Sequence, residues 1–376
     1  MPGLFDPIRI GSLEFKNRLI MLPMGLGIGL RSHRAISFYE RRARGGVAAI
    51  ITGATPIDIF ISDKAWGRGG ETKKFLSGLP RLTNTIHTYG TKLGVQLWQG
   101  NRLPACPTEN EGELVAPSAY KNRRELTLDE VQDIPRRFAS AALKAREAGF
   151  DFVEFHGAHG YLLHQFFSTH YNKRTDDYGG NLPNRMRLLL ECLRKTKQVA
   201  GKNFVISWRI SVGDNDIGGI TLEDALILCK RLAQEGADIL NVSFGSRRKD
   251  TIPDKRAPSG TFALLASEAR KFVHIPVVAA GKISSPETAR TILNENAVDL
   301  IGLGRQLITD PYWPMKAEQG KEAEIMFCNY CNINCLRAMY HPCRDDQLCS
   351  LNSEAGKEWQ QTNHNEDVMS SKATEE

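Results

Sequence analysis

Short apolar runs alternate with amphipathic stretches along most of the chain. Runs rich in Val and Ile predict eight buried strands, and the segments between them repeat apolar residues at helical spacing. The strands are predicted at residues 18–22, 47–52, 95–98, 152–155, 204–209, 239–242, 276–280 and 299–302. The helices are predicted at residues 33–44, 79–93, 127–149, 183–200, 221–236, 260–273, 285–296 and 312–318. Because the strand segments are continuously apolar, they indicate a parallel sheet that is covered on both faces.

This alternation predicts an α/β protein built as a (β/α)8 TIM barrel. Helix signals support the boundaries: Thr127 and Glu130 form a capping-box pattern, Thr221 precedes another helix, and Gly149 and Gly236 stand where helices should end. We predict three parts: the barrel at 1–320, a short cysteine-rich C-terminal segment at 321–355 and a flexible tail at 356–376. The loops at 56–78 and 100–126 are long, which is typical of lids or binding loops.

Composition narrows the class of protein further. The chain has 376 residues, 41% of them hydrophobic and 24% charged, which is a globular composition. The net charge of +6 is mild, and no run of like charges or basic–aromatic interleaving indicates nucleic-acid binding. Neither a signal pattern nor an apolar run long enough for a membrane span occurs, so we expect a cytoplasmic protein that binds a small-molecule substrate. A homo-oligomer is compatible with the sequence.

Candidate acid–base residues follow the fourth predicted strand. His156, His159 and Tyr161 put two imidazoles and a phenol within six residues. In this barrel the chemistry lies at the C-terminal ends of the strands. Imidazole and phenol groups can polarise a carbonyl and deliver a proton, so the three residues are candidate catalytic residues. The alternative is that they are ordinary polar and packing residues.

A second candidate site follows the last two predicted strands. Gly281-Lys282 and Gly304-Arg305 place glycines and cations where barrels commonly bind phosphate. Elsewhere, Gln96 could pair with a pyrimidine-like ring edge. Arg209 would stabilise negative charge on such a ring, because arginine keeps its proton; a structural ion pair is the alternative for Arg209.

Five of the eight cysteines crowd into residues 328–349. Cys328, Cys331 and Cys335 are spaced so that three thiolates can surround one point. A more distant fourth cysteine would complete a four-thiolate set for zinc or an iron–sulfur cluster. Zinc sites usually contain two C-x2-C pairs and only one is present, so the spacing favours a 4Fe–4S cluster over zinc or free thiols.

The stretch from 156 to 187, HGAHGYLLHQFFSTHYNKRTDDYGGNLPNRMR, resembles the signature loop of the Old Yellow Enzyme flavoprotein family. The resemblance extends over about residues 3–315, and it implies that the barrel binds FMN. The residues implied to bind FMN are Gln96 and Arg209 at the isoalloxazine ring, Gly281, Lys282, Gly304 and Arg305 at the phosphate, and Pro23, Met24 and Gly25 along the flavin. In relatives that are ene-reductases, the residues matching His156 and His159 hold the substrate oxygen, and the residue matching Tyr161 donates the proton.

Two positions depart from the family pattern. Gly25 stands where Thr or Cys is frequent, and Gln99 stands where His is usual after Gln-Leu-Trp. In the family, the residue at the position of Gly25 tunes the reduction potential of the flavin. The resemblance therefore implies FMN binding more directly than it implies a particular redox potential.

The cysteine pattern is similar to that of 2,4-dienoyl-CoA reductase and trimethylamine dehydrogenase, which carry a 4Fe–4S cluster after the barrel. Their fourth cysteine precedes an Asn by three residues, as Cys349 precedes Asn352, so the resemblance implies the ligands Cys328, Cys331, Cys335 and Cys349. Cys343 is then a nearby spare. Those relatives continue into FAD- and NAD(P)H-binding domains. No matching G-x-G-x-x-G occurs here. We therefore expect either a separate electron donor, an FAD/NAD(P)H subunit or a redox protein, or a chain that is shortened relative to those relatives.

We therefore expect an FMN- and 4Fe–4S-dependent oxidoreductase that reduces an activated C=C bond in an enoate or an enoyl or dienoyl thioester. One alternative is an amine dehydrogenase or N-demethylase like trimethylamine dehydrogenase, although that branch usually has Tyr where His156 stands. Another alternative is an electron-transfer subunit of a larger flavoprotein complex. The segment after the sixth strand lacks the histidine that the dienoyl-CoA branch uses, and the loops that select the substrate do not identify it.

Overall fold

The structure is a computed structural model that describes residues 2–62, 70–103, 113–246, 248–295, 298–340 and 347–360. Eight parallel strands close into one barrel, which confirms the fold predicted from the sequence. The barrel strands are β1 (Leu19–Met21), β2 (Ala49–Pro56), β3 (Lys92–Trp98), β4 (Phe152–Gly157), β5 (Val205–Ser211), β6 (Ile239–Ser243), β7 (Val277–Ala279) and β8 (Leu300–Leu303). The barrel closes where β8 pairs with β1, with Ile301 beside Leu19 and Leu303 beside Met21.

Helices follow the strands and bury their apolar faces around the barrel. They are α1 (His33–Arg44), α2 (Asp58–Ile61), α3 (Glu71–His87), α4 (Leu128–Glu147), α5 (Leu162–Phe167), α6 (Leu182–Ala200), α7 (Leu222–Gln234), α8 (Arg248–Thr251), α9 (Ala263–Phe272), α10 (Pro286–Glu295), α11 (Arg305–Thr309), α12 (Trp313–Glu318) and α13 (Asn334–Tyr340). Glu322–Glu324 form a short 3-10 turn. Among these described helices, none combines the length and the apolar character that crossing a membrane requires.

Local sequence signals set several helix ends. The Thr127 side chain accepts a hydrogen bond from the Glu130 amide, and the Glu130 carboxylate accepts one from the Thr127 amide, which completes the predicted capping box. Thr221 caps α7 in a similar way by accepting from the Asp224 amide. Gly149 and Gly236 have φ angles of +92° and +99°, the left-handed region that glycine enters without strain.

One predicted helix was misplaced. The sequence predicted a helix at 79–93, whereas α3 runs from Glu71 to His87 and Lys92 already begins β3. Proline is more common in the first turn of a helix than in its interior. In the structure Pro80 lies inside α3, and the first turn begins at Glu71 without a side-chain cap. The predicted loop at 56–78 therefore contains α2 and the beginning of α3.

A two-stranded hairpin closes the N-terminal end of the barrel. Its strands, Ile8–Ile10 and Leu13–Phe15, pair antiparallel. Phe15 is fully buried and its ring lies 6.1 Å from that of Phe152 at the start of β4. Gly94 gives this ring room, since a Cβ there would lie 2.4 Å from the Phe152 ring. Because this end is filled, the barrel is left open at the C-terminal ends of its strands.

The end of the described chain returns to the outside of α1. Glu358 is buried, and its Oε1 accepts from Nη1 of the buried Arg42 at 2.8 Å. The other oxygen, Oε2, accepts from the Gly356 amide at 2.8 Å. Arg42 also stacks on the Phe38 ring, 3.3 Å from its centroid. Residues 356–360 of the predicted tail are thus anchored to the barrel, and 361–376 lie outside the described residues.

The buried pair between Arg42 and Glu358 predicts a large effect of a single truncation. Glu358→Ala leaves a buried guanidinium without its counter-charge, so we expect a loss of about 3–5 kcal/mol in the free energy of unfolding. Urea unfolding of both proteins measures this loss.

The matched control is Glu354→Ala, which removes a 2.7 Å ion pair with Arg41 from a side chain that is 53% exposed. We expect that variant to lose less than about 1 kcal/mol, because water screens the pair. Equal losses in the two variants would contradict the anchoring role of Glu358.

Candidate active site

One cavity of about 270 Å³ opens at the C-terminal ends of the barrel strands. Every residue predicted to bind the cofactor or to act in catalysis lines it: Pro23, Met24, Gly25, Gln96, His156, His159, Tyr161, Arg209, Gly281, Lys282, Gly304 and Arg305. These residues come from β1, β3, β4, β5, β7 and β8 or the loops after them. The barrel therefore brings together residues that are far apart in the sequence, from Pro23 to Arg305.

Backbone shape at the β7 end of the cavity requires glycine. Gly281 has φ of +98°, and a Cβ there would lie 2.9 Å from the Phe262 ring and 3.0 Å from its amide nitrogen. Lys282 is also in the left-handed region, with φ of +57°. Gly304 precedes α11 and lies against the Met24 sulfur, 3.1 Å from the position of a Cβ. Side-chain-free backbone at this end leaves room for a group as bulky as a phosphate.

Two cations stand at the same end. Lys282 Nζ donates to the carbonyl of Lys255 at 2.7 Å and to that of Ala257. Arg305 Nη1 donates to the carbonyl of Pro253 at 2.6 Å and to Asn332 Oδ1, while its Nε and Nη2 have no hydrogen-bond partner among the described residues. A guanidinium with two remaining donors suits a phosphate, because it can bind two oxygens at once.

A buried carboxylate lies beneath the centre of the cavity. Glu154 is fully buried in β4, and Gln96 Nε2 donates to its Oε1 at 2.8 Å. Its Oε2 accepts from Asn241 Nδ2 at 2.8 Å and from Ser207 Oγ at 3.0 Å. Burial raises the pKa of Glu154, although the nearby charge of Arg209 and these hydrogen bonds oppose the shift. Because Gln96 turns its NH2 toward Glu154, its Oε1 is left as an acceptor at the cavity wall.

Arg209 carries a positive charge at the barrel mouth. Its Nη1 donates to Asn241 Oδ1, and its Nη2 donates to Ser243 Oγ at 3.1 Å. Burial lowers the pKa of Arg209 to about 10, against the opposing charge of Glu154, so the guanidinium is charged at neutral pH. Its Nε is buried and has no partner among the described residues. A buried donor of this kind is normally satisfied, which fits a ligand with an acceptor edge in the cavity.

The three candidate acid–base residues, His156, His159 and Tyr161, lie together on another part of the cavity wall. The His156 ring lies 5.0 Å from that of His159 and 4.7 Å from that of Tyr161, while the Tyr161 ring lies 4.8 Å from that of Trp98. A sharp turn makes this possible: His159 and Gly160 have φ of +61° and +78°. A side chain at position 160 would collide with the Ser246 carbonyl, 2.5 Å from the Cβ position.

Both imidazoles are neutral at physiological pH. Burial lowers the pKa of His156 to about 3, and the charge of Arg209 adds to the shift. The pKa of His159 is lowered well below its ordinary value, again mainly by burial. A neutral imidazole carries one N–H donor and one acceptor. The pair can therefore donate hydrogen bonds to a ligand without adding charge to the cavity.

Gln99, one of the two departures from the family pattern, contacts the neighbouring loop. Its Nε2 donates to the Arg102 carbonyl at 2.6 Å, and its own backbone carbonyl accepts from the Leu162 amide at 3.1 Å. It thus ties the loop after β3 to the start of α5. It does not line the cavity.

Three cavity residues that the sequence did not predict come from the cysteine-rich segment. Tyr330, Leu336 and Met339 line the cavity, and Met339 Cγ lies 3.2 Å from where a Cβ on Gly25 would stand. The Tyr330 ring lies under the Arg305 guanidinium, 4.7 Å from centroid to Cζ. The i, i+3 spacing of Leu336 and Met339 on α13 is a sequence signal that could have indicated an apolar face there.

The four predicted cysteine ligands lie near one another. Cys331 Sγ lies 3.1 Å from the hydroxyl of Ser350, the residue that follows Cys349. Burial raises the pKa of Cys335 to about 11; the charge of Arg305 opposes this rise, and the charges of Cys328, Cys331 and Cys349 add to it. Within the described ranges, no three His, Cys, Asp or Glu side chains are arranged to hold a single metal ion. Cys343, the predicted spare, lies outside the described residues.

Hydrogen bonds surround the cysteine sulfurs. The Tyr330 amide donates to Cys328 Sγ and the Leu351 amide donates to Cys349 Sγ, each at 3.4 Å. Cys331 Sγ lies 3.1 Å from Ser350 Oγ. Such donors stabilise thiolates and tune the potentials of iron–sulfur clusters. Zinc would draw four sulfurs to about 2.3 Å from one centre. In a 4Fe–4S cluster each thiolate binds a different iron, so the sulfurs stand farther apart.

Comparison with known proteins identifies a class of flavin-dependent barrel oxidoreductases. Residues 3–324 match the NADH:flavin oxidoreductase / NADH oxidase family. The chain belongs to that family, which consists of FMN-binding oxidoreductases. The resemblance to Old Yellow Enzyme that the sequence indicated is therefore confirmed.

Individual relatives extend beyond this chain. The chain is 38% identical over 374 residues to an NADH oxidase of Thermoanaerobacter brockii, covering 95% of the chain and 57% of the relative. It is 32% identical over 388 residues to a cinnamate reductase of Clostridium sporogenes, covering 94% and 58%. The chain thus spans a little over half the length of these relatives.

Two solved structures that match this chain are also longer than it. A 2-naphthoyl-CoA reductase in complex with 2-naphthoyl-CoA matches with a TM-score of 0.83 and 25% identity, covering 95% of this chain and 58% of that chain. Histamine dehydrogenase from Rhizobium sp. 4-9 matches with a TM-score of 0.84 and 27% identity, covering 94% and 53%.

The depressed pKa of His156 predicts a dependence of stability on pH. The unfolded chain binds a proton at this imidazole near pH 6.5, whereas the folded protein excludes it until about pH 3. The unfolded state therefore binds more protons as the pH falls below 6.5, and the free energy of unfolding decreases. Between pH 7.5 and pH 5 we expect the native protein to lose about 2 kcal/mol more than a His156→Asn variant, measured by urea unfolding. Equal losses in the two proteins would show that His156 takes up its proton normally.

Proposed function

We propose that this chain is an FMN- and 4Fe–4S-dependent reductase of an activated C=C bond in an α,β-unsaturated carbonyl compound, such as an enoate or an enoyl thioester. The observation that carries the proposal is the shared cavity. Two neutral imidazoles and the Tyr161 ring face the same space as the glycines and cations after β7 and β8. The names of two relatives, a cinnamate reductase and a 2-naphthoyl-CoA reductase, support an unsaturated acid or thioester as the substrate class.

The cavity residues fit FMN. Gly281, Lys282, Gly304 and Arg305 would hold its phosphate, Gln96 and Arg209 would bind the polar edge of its ring, and Pro23, Met24 and Gly25 would lie along the ring. When bound, FMN supplies the hydride for the β-carbon of the substrate. The partnerless Nε of Arg209 and the outward Oε1 of Gln96 offer one donor and one acceptor, which is what a pyrimidine-like edge requires.

His156 and His159 would bind the carbonyl oxygen of the substrate. Negative charge develops on that oxygen as the β-carbon is reduced. Preorganised N–H donors stabilise such charge by roughly 3 kcal/mol each in a site that excludes water. Tyr161, whose ring lies 4.7 Å from that of His156, would then protonate the α-carbon as a general acid.

We further propose that Cys328, Cys331, Cys335 and Cys349 bind a 4Fe–4S cluster. Support comes from their mutual proximity and from the amide and hydroxyl donors around their sulfurs. Electrons would reach the cluster from an FAD/NAD(P)H-binding domain or subunit, or from a redox protein. Exposed apolar side chains around the cysteines offer this donor a docking surface: Met326, Phe327, Ile333 and Leu351 are 44%, 44%, 58% and 41% exposed.

A second candidate function is the oxidation of an amine. It is favoured by the match to histamine dehydrogenase, whose TM-score of 0.84 is close to the 0.83 of the 2-naphthoyl-CoA reductase. The pair of neutral imidazoles favours the reductase, because an amine substrate has no carbonyl oxygen for two donors to bind.

The reductase is tested with anaerobically purified holoprotein. After photoreduction, we expect enoates or enoyl thioesters to reoxidise the flavin, followed by its visible absorbance. Tyr161→Phe should slow this reoxidation by about 10²–10⁴-fold, because it removes the general acid, while flavin content and photoreduction stay unchanged.

Tyr120→Phe serves as the control for that variant, since Tyr120 is 38% exposed and does not line the cavity. Full turnover in Tyr161→Phe would remove the proton-donor role. If no unsaturated carbonyl reoxidises the flavin while N-methyl amines reduce it, the second candidate replaces the first.

The cluster is tested by cysteine substitution. Cys349→Ser replaces a thiolate ligand, so we expect loss of iron, sulfide and the brown absorbance shoulder while FMN is retained. Cys343→Ser, the matched control, should keep its iron. Iron and sulfide analysis after oxygen-free purification measures both. Loss in the Cys343 variant alone, or zinc in place of iron, would contradict the ligand set.

A further inference from the structure

Ser243, at the end of β6, lies between two residues of the candidate site. The residue is fully buried, and its hydroxyl has two neighbours. Arg209 Nη2 lies 3.1 Å from Ser243 Oγ, and His159 Nε2 lies 2.7 Å from it. No other hydrogen-bond partner of this hydroxyl occurs among the described residues. The hydroxyl therefore links the buried cation to one of the two imidazoles.

The donors and acceptors in this link can be assigned. A guanidinium can only donate, so Arg209 occupies one lone pair of Ser243 Oγ. The hydroxyl has one proton, and within the described chain His159 Nε2 is the acceptor available to it. If Nε2 carried a proton instead, the hydroxyl proton would have no acceptor. Leaving a buried donor without an acceptor disfavours that arrangement by about tenfold or more in population. The proton of the neutral His159 ring is thereby placed on Nδ1.

The orientation of Arg209 is fixed from the other side. Its Nη1 donates to Asn241 Oδ1, and Asn241 Nδ2 donates to Glu154 Oε2 at 2.8 Å. The amide of Asn241 cannot reverse without placing donor against donor at Arg209. Backbone register supports the arrangement, because Arg209 pairs with Asn241 and Ser211 pairs with Ser243 across adjacent strands. One chain of hydrogen bonds thus runs from Glu154 through Asn241, Arg209 and Ser243 to His159.

We propose that Ser243 is a positioning residue that holds His159 as the Nδ1–H tautomer, so that this ring presents an N–H donor to the cavity. His159 lines the cavity, and its Nδ1 has no hydrogen-bond partner among the described residues. The tautomer follows from the hydrogen bonds alone. That this N–H binds the carbonyl oxygen of a substrate rests on the proposed function.

The test uses histidine NMR on the oxidised holoprotein. With ¹⁵N-labelled histidine, long-range proton–nitrogen correlations distinguish the two tautomers, and a His159→Gln variant assigns the signals. We expect Nδ1 to be protonated in the native protein. In Ser243→Ala we expect the Nδ1–H population to fall by about tenfold relative to Nε2–H, because Nε2 no longer has a donor to accept from. Ser243→Thr keeps a hydroxyl and should restore the native tautomer.

Ser207→Ala is the matched control for a merely structural effect. Ser207 is as buried as Ser243 and donates to Glu154, but it does not contact His159. Its removal should leave the His159 tautomer unchanged. The proposal is overturned if native His159 is the Nε2–H tautomer, or if Ser243→Ala keeps the native ratio.

A turnover measurement distinguishes failure of the role proposed for Ser243 from failure of the proposed function. With an enoate substrate, Ser243→Ala should lower kcat about tenfold, because the donor is lost where charge develops. Ser243→Thr should recover it. If the tautomers behave as expected but no unsaturated carbonyl is reduced by any variant, the proposed function fails and the role of Ser243 in setting the tautomer stands.

Discussion

The positive charge of Arg209 is the constraint around which the barrel mouth is organised. The guanidinium keeps its proton at neutral pH, so its burial must be offset by a counter-charge and by hydrogen bonds. Glu154 supplies the counter-charge one layer deeper, and Asn241 connects the two. Gln96 and Ser207 also donate hydrogen bonds to the carboxylate. Because every member has a defined orientation, the cavity wall above them has a fixed pattern of donors and acceptors before any ligand binds.

The fold was predictable because a barrel strand is buried on both faces. Such strands are short and continuously apolar, and all eight were located from the sequence, with boundaries that differ by a few residues. The shift of α3 had a local cause, since Pro80 lies inside the helix and the residues before it, Glu71 to Lys74, are polar. The contact of Glu358 with Arg42 could not be predicted, because it joins residues that are 316 positions apart without a local pattern.

The candidate site was predictable where chemistry coincides with the ends of strands. His156, Arg209 and Gln96 stood out as polar residues at those ends. Glu154 was missed although it carried a signal: a carboxylate inside the apolar run of β4, two residues before His156 and hence on the same face of the strand. Ser243 was missed because a serine at the end of a strand is ordinary until its neighbours are known. Met339 and Tyr330 reach the cavity from a segment outside the barrel, and no periodicity in the barrel could indicate that.

The position of Met339 against Gly25 connects two parts of the molecule that the sequence presents as separate. The barrel leaves a gap at Gly25, after β1, and Met339 of α13 fills it from near the other end of the chain. The volume above β1 is therefore set by two distant stretches of sequence together, because a side chain at Gly25 would collide with Met339. A graft that transplants this barrel must carry its appended segment with it.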